Sequence, residues 1–191
     1  MIKSAGRGEA KAIEPDLSEL RRLVEENATP DRVANKIAKL LRVQRTEVAL
    51  LRIENNMLKF LHPPELRVAG AIPLSSNAVA ARTAVTRTSL LSNNFLQVKH
   101  VNLFETVRLA ADNSGTEFIE TAPIQKLISV PIESEDHRKI LGVIQISRKA
   151  LDVRFAGPDF TSNDLKMLEQ IVPILAQMTF MSSARTIAST S

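Results

Sequence analysis

The 191-residue chain has no cysteine, no tryptophan and no tyrosine. Without cysteine it can have no thiol nucleophile, no disulfide, no Cys-ligated zinc, no iron–sulfur cluster and no thioether link to a haem or bilin. No apolar run approaches the roughly 18 to 20 residues of a membrane helix, and the N-terminal residues mix both charges without the apolar core of a signal peptide. A cytoplasmic protein with no membrane partner is the expectation. Catalytic signatures are missing as well: there is no HExxH, GxSxG, Walker A or kinase motif, and Gly6-Arg7-Gly8 lacks the preceding strand and third glycine of a dinucleotide loop. One further absence is local. No Asp or Glu occurs between Glu65 and Glu105, a stretch that holds Arg67, Arg82, Arg87 and Lys99. Those four cations account for the whole formal charge of +4.

A hydrophobic fraction of 44% and a charged fraction of 24% are those of a globular protein. A chain of this length buries about 70% of the surface its unfolded form exposes, so one domain with a full core is the expectation. Residues 1–15 read as a flexible leader, 16–181 as a single domain and 182–191 as a fraying tail. The basic surplus comes without a helix-turn-helix or an interleaved basic and aromatic stripe, so no specific nucleic-acid partner is expected.

Along the domain, Asp16 and Glu19 form a capping pattern ahead of a helix whose apolar stripe is Leu17, Leu20, Leu23 and Val24. Thr29-Pro30 opens a second helix with Val33, Ala34, Ile37, Leu40 and Leu41 on one face. The period then shortens: 47–53 and 57–61 flank Glu54-Asn55-Asn56 as a hairpin that His62-Pro63-Pro64 closes. A strand is predicted over 67–74, a small-residue helix started by Ser76 over 78–85, and a short strand over 89–92. Residues 93–123 are aperiodic and carry three of the seven phenylalanines. Strands at 126–132 and 140–147 form a second hairpin, and Thr161 to Asp164 caps a last helix carrying Leu165, Leu168, Ile171, Val172, Leu175 and Met178.

Three segments carry a family resemblance: Leu127-Ile128-Ser129-Val130-Pro131-Ile132, Leu141-Gly142-Val143-Ile144-Gln145-Ile146, and Phe160-Thr161 through Asp164-Leu165 to Leu168. In this order they resemble the C-terminal half of a GAF domain. Val33 to Leu41, Ala71-Ile72-Pro73-Leu74 and Ala78 to Ala81 resemble parts of its N-terminal half, so that the likeness covers residues 29–180. It implies an α+β (α/β sandwich), GAF/PAS-like fold. A central antiparallel sheet would carry the N- and C-terminal helices on one face and a loop and short-helix lid on the other. It also implies a cytosolic sensory role, a small-molecule pocket under residues 93–123, no catalysis, and a homodimer through the terminal helices. The family's cyclic-nucleotide residue set is not recognisable, and the missing cysteines speak against covalent bilin and against the free-methionine sulfoxide reductase branch. The cofactor, if any, stays unknown.

By the same resemblance, residues 66–104 line the pocket, so that Arg82, Arg87 and Lys99 could pair with an anionic ligand. The plainer alternative puts Arg82 and Arg87 in solvent at a helix C-terminus. Phe95, Phe104 and Phe118 could wall a ring-bearing ligand or merely anchor a loop. By analogy alone, Ser92, Asn93, Ser129 and Gln145 are the polar side chains of the cavity. His100 could be an axial haem ligand, though a lone loop histidine more often faces solvent. Leu17, Leu20, Leu23 and Val24 with Leu165, Leu168, Val172 and Leu175 could meet across a two-fold axis, or each helix could cover its own sheet. The competing functional expectation is a ligand-free interaction module docking on a signalling kinase or regulator.

Overall fold

A computed structural model describes residues 16–68, 70–95 and 122–182. The helices are α1 (Ser18–Glu25), α2 (Pro30–Leu41), α3 (Val79–Thr86) and α4 (Ser162–Ala176). The strands are β1 (Val48–Glu54), β2 (Met57–His62), β3 (Ala71–Pro73), β4 (Leu90–Ser92), β5 (Ile124–Glu133) and β6 (Ile140–Lys149). Among the described residues they form one antiparallel sheet in the order β3-β2-β1-β6-β5-β4.

Helix starts follow side-chain chemistry. Thr29 accepts the Arg32 N–H at the head of α2, with Pro30 in the first turn where its missing donor costs nothing. Thr161 and Asp164 make a reciprocal capping box at α4: Oγ1 of Thr161 accepts the Asp164 N–H, and Oδ2 of Asp164 accepts the Thr161 N–H at 2.6 Å. At α1 the expectation of an Asp16–Glu19 box does not hold. Asp16 caps from one residue further out by accepting the Ser18 N–H, while Glu19 turns away to pair with Lys36 of α2.

The register separates two faces of the sheet. On one, Val48, Leu50, Ile128, Val130, Ile132, Ile144 and Ile146 form an aliphatic floor under α1, α2 and α4. Leu20, Leu23, Ile37, Leu168, Ile171 and Leu175 press onto it, and removing each such side chain from water contributes about 1.5 to 3 kcal/mol. The terminal helices therefore lie on one face, as the resemblance implied. Of the residues considered for a two-fold contact, Leu20, Leu23, Leu168, Val172 and Leu175 are buried within the chain, and Leu17, Val24 and Leu165 are half-buried.

Gly142 stands where β6 meets the turn Thr179–Met181. A Cβ there would fall on the Leu51 carbonyl oxygen and lie 2.8 Å from Cε of Met181. Arg52 fastens that turn by donating from Nη1 to the Phe180 carbonyl at 2.8 Å. On the second face lie Ala49, Leu51, Leu58, Phe60 and Val143, covered by Ala80, Ala81 and Ala84 of α3, whose small side chains let that helix approach closely.

Two elements depart from expectation. The strand predicted over 67–74 is only Ala71–Pro73, because Pro64–Leu66 forms a 3-10 turn, Gly70 takes φ +112°, and the Arg67 side chain is drawn to the Leu61 carbonyl and Asp31. Helix α3 runs Val79–Thr86, one residue later at each end than expected, with Ala78 as its N-cap; the Ser76 hydroxyl accepts the Ala78 N–H just ahead of the helix instead of capping its first turn.

Candidate functional site

The two faces of β5 and β6 differ in polarity. Beneath α3, the same strands that supply the aliphatic floor place Ser129 directly opposite Gln145, with Ala49 and Leu90 in the same cross-sheet row. Ser129, Thr83 and Gln145 are 0%, 3% and 4% exposed. Burying such groups is costly unless they are satisfied, and here they satisfy one another. The Ser129 hydroxyl lies 2.8 Å from Oγ1 of Thr83 on α3 and accepts from Nε2 of Gln145 at 3.1 Å. Neither neighbour is a base that could take the Ser129 proton, so the hydroxyl is not activated as a nucleophile.

The trio has an apolar side and a polar margin. Phe95, Val79, Ile124 and Leu127 form a small buried cluster beside it, with Leu90 against them. Farther along β6, the Ser147 hydroxyl donates to the Glu47 carbonyl, and Glu47 accepts the Lys149 N–H. Burial pushes the Lys149 ammonium below the usual lysine range, and the Glu47 carboxylate partly offsets that.

Of the residues expected to line a pocket, the structure brings Ser129 and Gln145 together. Ser92 pairs with Leu127 in the ladder, on the face of the apolar cluster that includes Phe95. Asn93 is held by backbone: its Oδ1 accepts the Phe160 N–H at 2.8 Å and its Nδ2 donates to the Phe160 carbonyl at 2.9 Å. Arg82 is exposed on α3. Arg87, the left-handed C-cap of α3, donates to the carbonyls of His137 and Arg138 at the β5–β6 turn. Lys99, His100, Phe104 and Phe118, and most of the lid expected over 93–123, lie outside the described residues.

Sequence reasoning missed Thr83, which lay in the predicted small-residue helix as one of its few polar side chains. A second missed cluster is the one around His62. That ring is wholly buried, with Nδ1 2.6 Å from Oδ1 of Asp31 and Nε2 3.0 Å from the Arg45 carbonyl. Among the described residues, no group of three or more His, Asp or Glu side chains could hold a metal ion, and no helix is long and apolar enough to cross a membrane.

A six-stranded antiparallel sheet with its terminal helices on one face and a short helix on the other is the GAF fold, and solved structures agree. The GAF domain of an Acinetobacter phosphoenolpyruvate-protein phosphotransferase superposes with a TM-score of 0.57 at 17% identity, over 85% of this chain and 90% of that one. The A. aeolicus nlh2 GAF domain, in an inactive state, gives 0.56 at 17% identity, over 85% and 91%. A type II free methionine-R-sulfoxide reductase from Thermoplasma acidophilum gives 0.51 at 15% identity, over 83% and 94%. No protein-family model matches the chain, and no curated protein sequence matches it. The third likeness corrects the expectation of a protein without catalysis: this fold also carries an enzyme, so an enzymatic role is compatible with it.

Proposed function

We propose that the chain is a sensory module that binds a small molecule on the α3 face of its sheet, with Thr83, Ser129 and Gln145 as the polar recognition set. One observation carries this reading: a buried hydroxyl, hydroxyl and amide cluster interrupts a sheet whose opposite face is aliphatic throughout its centre. Stability alone favours apolar side chains at such positions, and binding sites are apolar surfaces with a few convergent polar groups. The GAF fold of the solved neighbours supports the same reading.

The ligand meets hydroxyls and an amide at this floor, since Arg87 is committed to the hairpin turn and Arg82 points to solvent. The test is native mass spectrometry of the purified chain, followed by thermal-shift screening against neutral, anionic and cationic metabolite panels. A retained or stabilising compound whose effect disappears in Gln145→Leu supports the assignment. A compound that stabilises Gln145→Leu as well as the unaltered chain, or a screen with no stabiliser of any charge, overturns it.

A further inference from the structure

Between β6 and α4 the chain exposes three large apolar side chains within five residues: Leu151 is 73% exposed, Val153 45% and Phe155 78%. Scattered surface leucines need no explanation, but a run of this kind does. The segment is braced from below. Asp152 accepts the Arg154 N–H at 2.8 Å and grips its guanidinium through both carboxylate oxygens, which fixes the 3-10 turn Val153–Phe155. Gln125 donates to the Ala150 carbonyl, Lys126 donates to the Gly157 carbonyl and pairs with Asp159, and Asn93 holds Phe160. A turn anchored on both sides yet apolar at its surface loses little entropy on docking.

The surroundings are basic. Arg148 donates to the Arg42 carbonyl and lies against Gly157, so the end of α2 adjoins the turn. Across 42–47 and 148–159 there are five basic side chains and three carboxylates. The three acids are engaged, Glu47 by backbone amides, Asp152 by Arg154 and Asp159 by Lys126, whereas Arg42 and Arg45 stand exposed.

We propose that the turn 151–155 is a peripheral anchor for an anionic lipid surface, its apolar side chains entering the headgroup boundary while Arg42 and Arg45 meet lipid phosphates. The charge complementarity and the apolar tip supply the two signals that reversible membrane attachment needs, because either alone is marginal. A bilayer also accepts a braced protrusion without needing a cavity of matching shape. The sequence excluded a spanning helix; a surface anchor of five residues leaves no such hydropathy signal.

The test is co-sedimentation of the full chain with phosphatidylglycerol/phosphatidylcholine vesicles and with phosphatidylcholine vesicles alone. Binding is expected only to the anionic vesicles, and raising salt from about 0.1 to about 0.5 M should release it. Leu151→Ser with Phe155→Ser should weaken binding about tenfold or more without lowering the melting temperature, and Arg42→Asn with Arg45→Gln about tenfold. A photo-crosslinker replacing Val153 should label lipid. No binding to anionic vesicles, undiminished binding by the Leu151/Phe155 variant, or labelling of a second copy, of residues 96–121 or of an added protein instead of lipid overturns the proposal.

Discussion

The Gln145 amide donates to the Ser129 hydroxyl at 3.1 Å from directly across the β5–β6 ladder, and Thr83 of α3 meets the same oxygen from above. One serine oxygen thus joins two strands to the helix that covers them. Removing it leaves two buried polar groups without a partner, a penalty larger than the net value of either bond. Ser129→Ala should lower unfolding free energy by about 1 to 3 kcal/mol in urea titration. Adding Gln145→Leu should cost less than the sum of the two single changes, a coupling of about 0.5 kcal/mol or more. Additive effects would show that the trio is not one unit.

Gly142 is fixed by its neighbours on both sides, and the Leu51 carbonyl is backbone that cannot step aside. Gly142→Ala should therefore destabilise by about 3 kcal/mol or more, while the flexible Met181 end gives way first. Chemical denaturation gives the value. A loss below about 1 kcal/mol would mean that β1 and β6 separate more easily than their paired register implies.

Much of this architecture was legible in the chain because it is local. Thr29-Pro30 and Thr161 with Asp164 announce helix starts through bonds that span three residues. The alternation along β5 and β6 already held Ser129 and Gln145 as polar interruptions in aliphatic runs. What stayed hidden depends on partners far away in sequence. Arg87 finds its carbonyls 50 and 51 residues on, Asn93 finds Phe160 67 residues on, and Arg67 bonds Asp31 instead of letting a full strand form. An acid-free run of the sequence therefore looked like a ligand's cationic wall when two of its four cations serve the fold.

Asp31 ties α2 to β2 through His62 and to the following turn through Arg67. Burial pushes its carboxyl up, but the His62 hydrogen bond and the charges of Arg67, His62 and Arg45 outweigh that and hold it below the ordinary carboxylate range. The folded state then binds fewer protons than the unfolded one, so this contribution is complete above about pH 4 and is lost as pH falls through the folded value. Asp31→Asn should lower the urea midpoint at pH 7 and flatten the acid limb. The limb should not vanish, because the exposed carboxylates of Asp16, Glu19, Asp136 and Asp152 are also held low by their own partners. An acid limb as steep in the variant as in the unaltered chain would remove Asp31 from the account.

Asn93 separates a structural from a ligand-contacting role. Its side chain both accepts from and donates to the backbone of Phe160, and so joins the end of β4 to the residue before the α4 cap. Asn93→Ala loses both bonds and should cost about 1 to 3 kcal/mol. Asn93→Asp can still accept the Phe160 N–H, but at neutral pH it sets a carboxylate against the Phe160 carbonyl. Once protonated, that acid can donate again, so the aspartate variant should be no more stable than the alanine one at pH 7 and should recover relative to it as pH falls toward about 4. Urea midpoints of the two variants across that range measure the effect. If both variants instead keep full stability and lose only the response to a stabilising compound, Asn93 belongs to the ligand site and the β4–α4 tie carries no weight.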